Sequence, residues 1–291
     1  ILEEASVDKK PLRGGVLKTE GNFNNLVGLP LTLLRLNKGD KVAVVELGTN
    51  RPGEIQRLTE IAAPDMGMIT AVAAAHLEGL TSLAGVAREK GALFGGVRRG
   101  GMIAVNLDDL WVRRIGEKFQ GRKITYGDGG EVRAESWRSL GAKGTMLYLR
   151  TGRQRSRVRL KFLGEHNVVN ATGAVAMAYG FGVGLTAIRR GLERAKPFSM
   201  RMQVENWRKI GIINDAYNAN PSSMAAAIEN FIQLDGTDKI AILGDMFELG
   251  KESIEEHKKV IDLLLSQIQI ETHFVGKDFF ANKTENSHLH F

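Results

Sequence analysis

Cysteine is absent from the 291 residues, which excludes disulfides, thiolate metal sites and a cysteine nucleophile. That absence fits a reducing compartment, and a cytoplasmic location is expected. Proline is scarce, at 6 residues, and no apolar run approaches the roughly 18 to 20 residues a membrane helix requires, so no membrane insertion is expected. The opening Ile1-Leu2-Glu3-Glu4-Ala5 has no basic segment and no following apolar stretch; it does not read as a secretory signal. Internal repeats are missing. Aromatic residues make up 7% of the chain and do not interleave with its basic residues, so no nucleic-acid partner is expected.

What remains is a hydrophobic share of 43% and a charged share of 25%, ordinary for a globular protein, at a length that points to two domains. The net charge of +7 is concentrated between Arg150 and Lys161. There Arg155, Arg157, Arg159 and Lys161 alternate with Ser156, Val158, Leu160 and Phe162, the period of a half-buried strand. Such a face protects a sheet from edge pairing; its field would also attract an anionic substrate.

The fold class expected is α/β. Over 1–195, strands and helices alternate in the manner of a mostly parallel sheet. Val42-Ala43-Val44-Val45 reads as a central strand covered on both faces, Pro52-Gly53 opens a helix that Pro64 stops, and 66–72 and 102–105 read as further strands. A β-rich stretch spans 123–162, and helices are expected over 167–179 and 185–195. The glycine cluster 180–184 follows a helix rather than a strand and reads as a helix-to-helix turn, not a dinucleotide loop. Lys196-Pro197 marks a domain boundary. Over 196–291 a hairpin (202–214), a helix (222–234), a strand (239–243), a helix (254–268) and a strand (272–275) suggest a second α/β unit, which turns polar and irregular after Phe280.

Glu46 follows the apolar run at 42–45, and ligands of open α/β sheets collect at the carboxyl ends of strands. His76 follows the next expected strand. A carboxylate and an imidazole can share a divalent ion, although a strand-end Glu is also a common cap and a lone His a common structural residue. Lys90 falls on the stripe of Leu83, Val86, Ala87 and Phe94, within about 60° at 3.6 residues per turn, while Arg88 and Glu89 point elsewhere. A lysine there either snorkels or stands beside a charged site. Clusters around Asn22-Phe23-Asn24-Asn25, Asn167 to Asn170, and Asn214 to Asn220 lie at element junctions. Asparagine serves turns and caps, and three such clusters suggest recognition of a ligand rich in amides, hydroxyls or a base.

These stretches together resemble the Mur ligases, most closely the branch that adds D-alanyl-D-alanine. The likeness is carried by Thr19-Glu20-Gly21-Asn22-Phe23-Asn24-Asn25 with Gly28-Leu29-Pro30, by Glu46-Leu47-Gly48-Thr49-Asn50, and by Pro52-Gly53-Glu54-Ile55. It continues through Ala75-His76-Leu77-Glu78-Gly79, Gly164 to Asn170, Tyr217-Asn218-Ala219-Asn220-Pro221 and Leu243-Gly244-Asp245-Met246-Phe247-Glu248-Leu249-Gly250. The resemblance implies a central ATPase-like domain followed by a partial Rossmann-like C-terminal domain. It implies ATP-dependent amide synthesis through an acyl phosphate, joining D-alanyl-D-alanine to UDP-N-acetylmuramoyl-tripeptide in a monomeric enzyme of peptidoglycan precursor synthesis. Glu46 and His76 would bind magnesium, and Lys90, if carbamylated, would join them. Asn167 and Asn170 match adenine-contacting positions; Arg201, Asp215 and Asn218 match nucleotide-site positions, and Asn22, Asn24, Asn25 and Asn220 match substrate-side positions.

The departures are specific. No GxxxxGK[ST] loop occurs in the sequence, and Gly250-Lys251-Glu252 places Glu where such a loop has a hydroxyl residue. Phosphate binding by this chain alone is therefore expected to be weak. The segment holding the uridine nucleotide and the strands expected after Phe280 are not recognisable, so truncation at both ends is expected. Ala71 and Arg51 replace the Asn and His common among relatives. A non-catalytic nucleotide- or partner-binding remnant, and a related Mur or folylpolyglutamate ligase, remain alternative readings.

Overall fold

The computed structural model describes residues 1–5, 15–73 and 77–291. The strands are β1 (Gly15–Lys18), β2 (Asp40–Val44), β3 (Met66–Met68), β4 (Met102–Asn106), β5 (Arg122–Tyr126), β6 (Val132–Ser139), β7 (Thr145–Thr151) and β8 (Gln154–Leu160), then β9 (Gln203–Trp207), β10 (Ile210–Asn214), β11 (Lys239–Gly244), β12 (Ile270–Val275) and β13 (Leu289–His290). β3 to β8 form one sheet in sequence order. β3, β4 and β5 are parallel, the single pair Tyr126–Val132 joins β6 in the same sense, and β7 and β8 continue antiparallel.

β4 is the strand covered on both faces. All five of its residues are buried, as its apolar run Met102-Ile103-Ala104-Val105 requires. One face packs under the helix Glu165–Gly180 with Ile124, Leu147 and Val175; the other meets Val86, Phe94 and Val112 from the helices Leu83–Gly95 and Leu110–Glu117. β2 does not fulfil the same expectation. It pairs with β1 alone among the described strands, and Val44 is 49% exposed. Its apolar run is real, but among the described residues only Val42 and Val45 pack against the core clusters, while Ala43 and Val44 are exposed.

The glycine cluster is the turn it was expected to be, linking Glu165–Gly180 to Leu185–Arg194, with Gly182 at φ 97°. β8 is an edge strand of the sheet. Arg155, Arg157 and Arg159 line its exposed side while Val158 and Leu160 are buried. Arg155 lies opposite Arg150 across the ladder, and Glu135 bonds to both guanidinium groups, offsetting the like charges.

Beyond 196, the antiparallel hairpin β9–β10 precedes a three-stranded parallel sheet in the order β11-β12-β13. Its core is built from Met224, Ile228, Val260, Ile261, Leu264 and Phe279. The stretch after Phe280 is less irregular than its polarity suggests: Leu289 and His290 pair with Thr272 and His273. The two α/β units meet at close points. A Cβ on Gly164 would lie 2.4 Å from the Asn230 amide, and one on Gly250 would lie 4.0 Å from the Glu78 Cα.

Candidate functional site at the strand ends

Parallel strands leave their last carbonyls and loops on one edge, where the chain has no regular partner and polar side chains can gather. Glu46 stands just past β2, exposed. The Asn24 amide donates to its Oε1 at 3.0 Å, and its own backbone N–H donates to Thr19 Oγ1 at 2.9 Å. The Gly48 N–H donates to the Asn24 carbonyl, and a Cβ on Gly48 would meet the Asn24 side chain at 2.8 Å. A larger residue there would displace the Asn24 side chain that orients Glu46. Asn25 acts differently, its Oδ1 accepting from Val27 and Gly28 N–H groups at the start of the helix Gly28–Leu33. Asn22 is exposed, and its carbonyl accepts from Asn24. His76 lies outside the described residues.

Lys90 is half-buried, and its Nζ donates to the Ala71 carbonyl at 2.8 Å, just past β3. Burial holds its pKa below the ordinary lysine value, partly countered by the Asp109 carboxylate. Asp109 accepts from the Val72 N–H at 2.7 Å and caps the helix Leu110–Glu117 through Trp111 and Val112. Asn106 is buried, donates to the Thr70 carbonyl and accepts from Asp108. Tyr126 points its hydroxyl at the carbonyls of Ile69 and Thr70, and burial together with Asp109 and Asp108 pushes its pKa far up. The ends of β3, β4 and β5 thus share one polar network around Lys90.

The expected stripe needs correction at two positions. Leu83 is 40% exposed, whereas Glu89, expected to point elsewhere, is only 7% exposed. Glu89 accepts from Gly53 and Ile55 N–H groups at 2.7 Å each and from the Thr49 hydroxyl at 3.3 Å. Its carboxylate faces the positive end of the helix Glu54–Ala62, which compensates its burial. Glu54 ties the same loop from inside, accepting from Asn50 and Arg51.

A second polar cluster forms where the helix Glu165–Gly180 begins. Asn167 donates to the Leu163 carbonyl and contacts His166 Nε2 at 3.0 Å; Asn170 is exposed one turn on. Asp215 accepts from the Met202 N–H at 2.8 Å. Burial raises the Asp215 pKa against the pull of His166 and Arg201, and burial lowers that of His166 against the pull of Asp215. The Arg201 guanidinium lies 4.3 Å over the Tyr217 ring, and Met200 and Met202 on either side of it hold left-handed φ values of 57° and 44°. His166 Nδ1 is buried with no partner among the described residues. Asn218 accepts from the neighbouring Ala219 N–H, while Asn220 forms a capping box with Ser223 on the helix Pro221–Ile232.

The sequence-derived candidates therefore fall into a group around Glu46 and Asn24, a separate network around Lys90, and a group around Asn167, Arg201 and Asp215. Asn25 is occupied by the N–H groups of Val27 and Gly28, and Asn220 serves as a helix cap. Asp109 and Asn106 were within reach of the rule that selected Glu46, since both follow the apolar run of β4. Glu89 carried no such signal, because its partners lie 34 to 40 positions away.

Residues 2–178 match the family model described as Mur ligase middle domain, and residues 200–285 match that of the Mur ligase glutamate ligase domain. The UDP-N-acetylmuramoyl-tripeptide–D-alanyl-D-alanine ligase of Haemophilus influenzae is 35% identical over 98% of this chain and 64% of its own length. That of Escherichia coli is 34% identical over 93% and 63%. A crystal structure of MurF from Acinetobacter baumannii superposes with a TM-score of 0.90 at 34% identity, covering 99% of this chain and 62% of that one. MurF ligase from Thermotoga maritima in complex with ADP shares the fold, with a TM-score of 0.85 at 24% identity. The chain thus spans less than two thirds of the length of these relatives.

Proposed function

Because the chain belongs to the Mur ligase family, we propose that it supplies the nucleotide-using part of a ligase joining D-alanyl-D-alanine to UDP-N-acetylmuramoyl-tripeptide. The observation carrying this reading is the set of polar clusters: strand-end groups around Glu46 and around Lys90 in the first unit, and a group that brings Asn167 of the first unit together with Arg201 and Asp215 of the second. We divide the units at 195 and 196. In the proposed reaction a tripeptide carboxylate oxygen attacks the γ-phosphorus of ATP and ADP leaves. The dipeptide amine then attacks the acyl carbon, loses a proton, and inorganic phosphate departs. Catalysis of this kind rests on positioning and charge neutralisation. The reaction is placed in the cytoplasm, with the protein a monomer.

Adenine fits the second cluster, where His166 Nδ1 is buried without a partner beside Asn167. Arg201, projecting from its left-handed loop, would meet phosphate oxygens, with Asp215 and Asn218 alongside. Glu46 suits a hard cation, being an exposed carboxylate oriented by Asn24. His76 joins it in this reading. Magnesium, when bound, supplies positive charge against the phosphates. Lys90 has a lowered pKa and thus a larger neutral-amine fraction, the form that adds carbon dioxide; its nitrogen forms the new C–N bond and releases a proton. The resulting carbamate would turn a buried cation into an oxygen ligand.

The sequence holds no GxxxxGK[ST] loop, and by itself this chain is expected not to form the amide bond. The experiment mixes purified chain with ATP, the tripeptide nucleotide and D-alanyl-D-alanine, and measures ADP release. Release dependent on both acceptor and amine would overturn the expected inactivity. In a version extended to the full length of the relatives, strong preference for a single amino acid over D-alanyl-D-alanine would overturn the substrate assignment.

A further inference from the structure

The C-terminal sheet carries a second constellation, remote in sequence from every residue placed in the reaction. β12 alternates buried Ile270, Thr272 and Phe274 with outward Glu271 and His273. The parallel register sets His290 of β13 beside His273. Both imidazoles turn Nε2 toward the same carboxylate oxygen: Glu271 Oε1 lies 3.2 Å from His273 and 3.5 Å from His290. The rings stack with centroids 4.7 Å apart and planes 23° from parallel. One donor atom from each residue can be chosen so that all three lie within 4.8 Å of one another.

We propose that Glu271, His273 and His290 form a binding site for a divalent transition ion of the zinc class. With Zn–N and Zn–O bonds of about 2.0–2.2 Å, tetrahedral ligands sit roughly 3.4 Å apart. The two carboxylate–imidazole separations bracket that spacing, and the third edge, no longer than 4.8 Å, would shorten by ring rotation on binding. Two imidazoles and one carboxylate are a zinc-type donor set, with a fourth position open to water, and not the all-oxygen set that magnesium favours. Both imidazole Nε2 atoms lie close to one carboxylate oxygen; to bind an ion, each Nε2 would present its lone pair, the ring proton sitting on Nδ1. The consequence is structural. β13 has two residues, paired as Thr272–Leu289 and His273–His290 and flanked by the Thr272 N–H bond to the His288 carbonyl, so metal bonded across the two strands would add a further tie between them.

The test is a titration of the 291-residue chain with Zn2+, and with Co2+ as a spectroscopic probe. Expected are one ion per chain, the visible absorption of four-coordinate cobalt, and a rise in Tm that grows with ion concentration. His273→Ala and His290→Ala should each lower the affinity by more than about tenfold, and Glu271→Gln should weaken it too. All three side chains are substantially exposed, so the variants keep the fold, which Tm without metal verifies. Zinc uptake unchanged in the His variants, no uptake by the parent chain, or an equal Tm rise with Mg2+ would overturn the proposal.

Discussion

Glu89 and Lys90 are adjacent in sequence and face opposite electrostatic problems. Glu89 is a buried anion whose cost is met by two backbone N–H groups and a helix N-terminus. Glu89→Ala leaves those donors unpaired and should destabilise the chain by about 2–3 kcal/mol in denaturant unfolding. An unchanged midpoint would show that the 49–54 loop holds without it. Lys90 is a half-buried cation with a lowered pKa. Between that lowered value and the ordinary 10.5 the unfolded chain binds more protons than the folded one, so stability rises with pH across the window. Lys90→Met should abolish that rise, seen by following the unfolding midpoint into alkaline solution. For the carbamate itself, incubation with 13C-bicarbonate should give a carbamate carbon signal that the same substitution removes.

At the scale of elements, the helix Glu165–Gly180 begins under constraint. Gly164 has φ 85° and ψ 158°, and an added Cβ would fall 2.4 Å from the Asn230 amide. Gly164→Ala should therefore cost more than about 2 kcal/mol. Asn230→Ala in that background should restore the part due to contact and leave the part due to φ. Thermal unfolding of both variants checks the division. The helix is readable in the sequence because its apolar residues recur at helical spacing; the reason for Gly164 is not, since Asn230 belongs to another unit. The same contrast runs through the molecule. β4 and β8 declare themselves by continuous and alternating apolar patterns. β2 departs from its expected burial because an apolar run reports what a strand could bury, not which of the described residues cover it. Glu46 and Lys90 stand out by position and by a charge on an apolar stripe, whereas Glu89 stands out only once the 49–55 loop is folded against it.

Over the whole molecule, the pair His166 and Asp215, one from each unit, links stability to acidity with two opposing signs. His166 has a lowered pKa, so as pH falls from the ordinary histidine value of 6.5 the unfolded chain takes protons the folded chain refuses, and stability declines. Asp215 has a raised pKa; its contribution is fully present below the ordinary aspartate value and is lost as pH rises through the folded one. His166→Asn should flatten the decline on the mildly acid side, and Asp215→Asn should remove the opposing loss at lower pH, both visible in Tm against pH. The edge of the large sheet acts at longer range. Arg157 and Arg159 stand exposed on β8 in a chain of net charge +7, and their field reaches about 10 Å at 0.1 M salt. Two copies drifting edge to edge therefore meet a repulsive barrier whose height is set by the buffer. Added salt lowers it, so the osmotic second virial coefficient should fall steadily with ionic strength. Replacing Arg157 and Arg159 by Ser should move its zero crossing to lower salt.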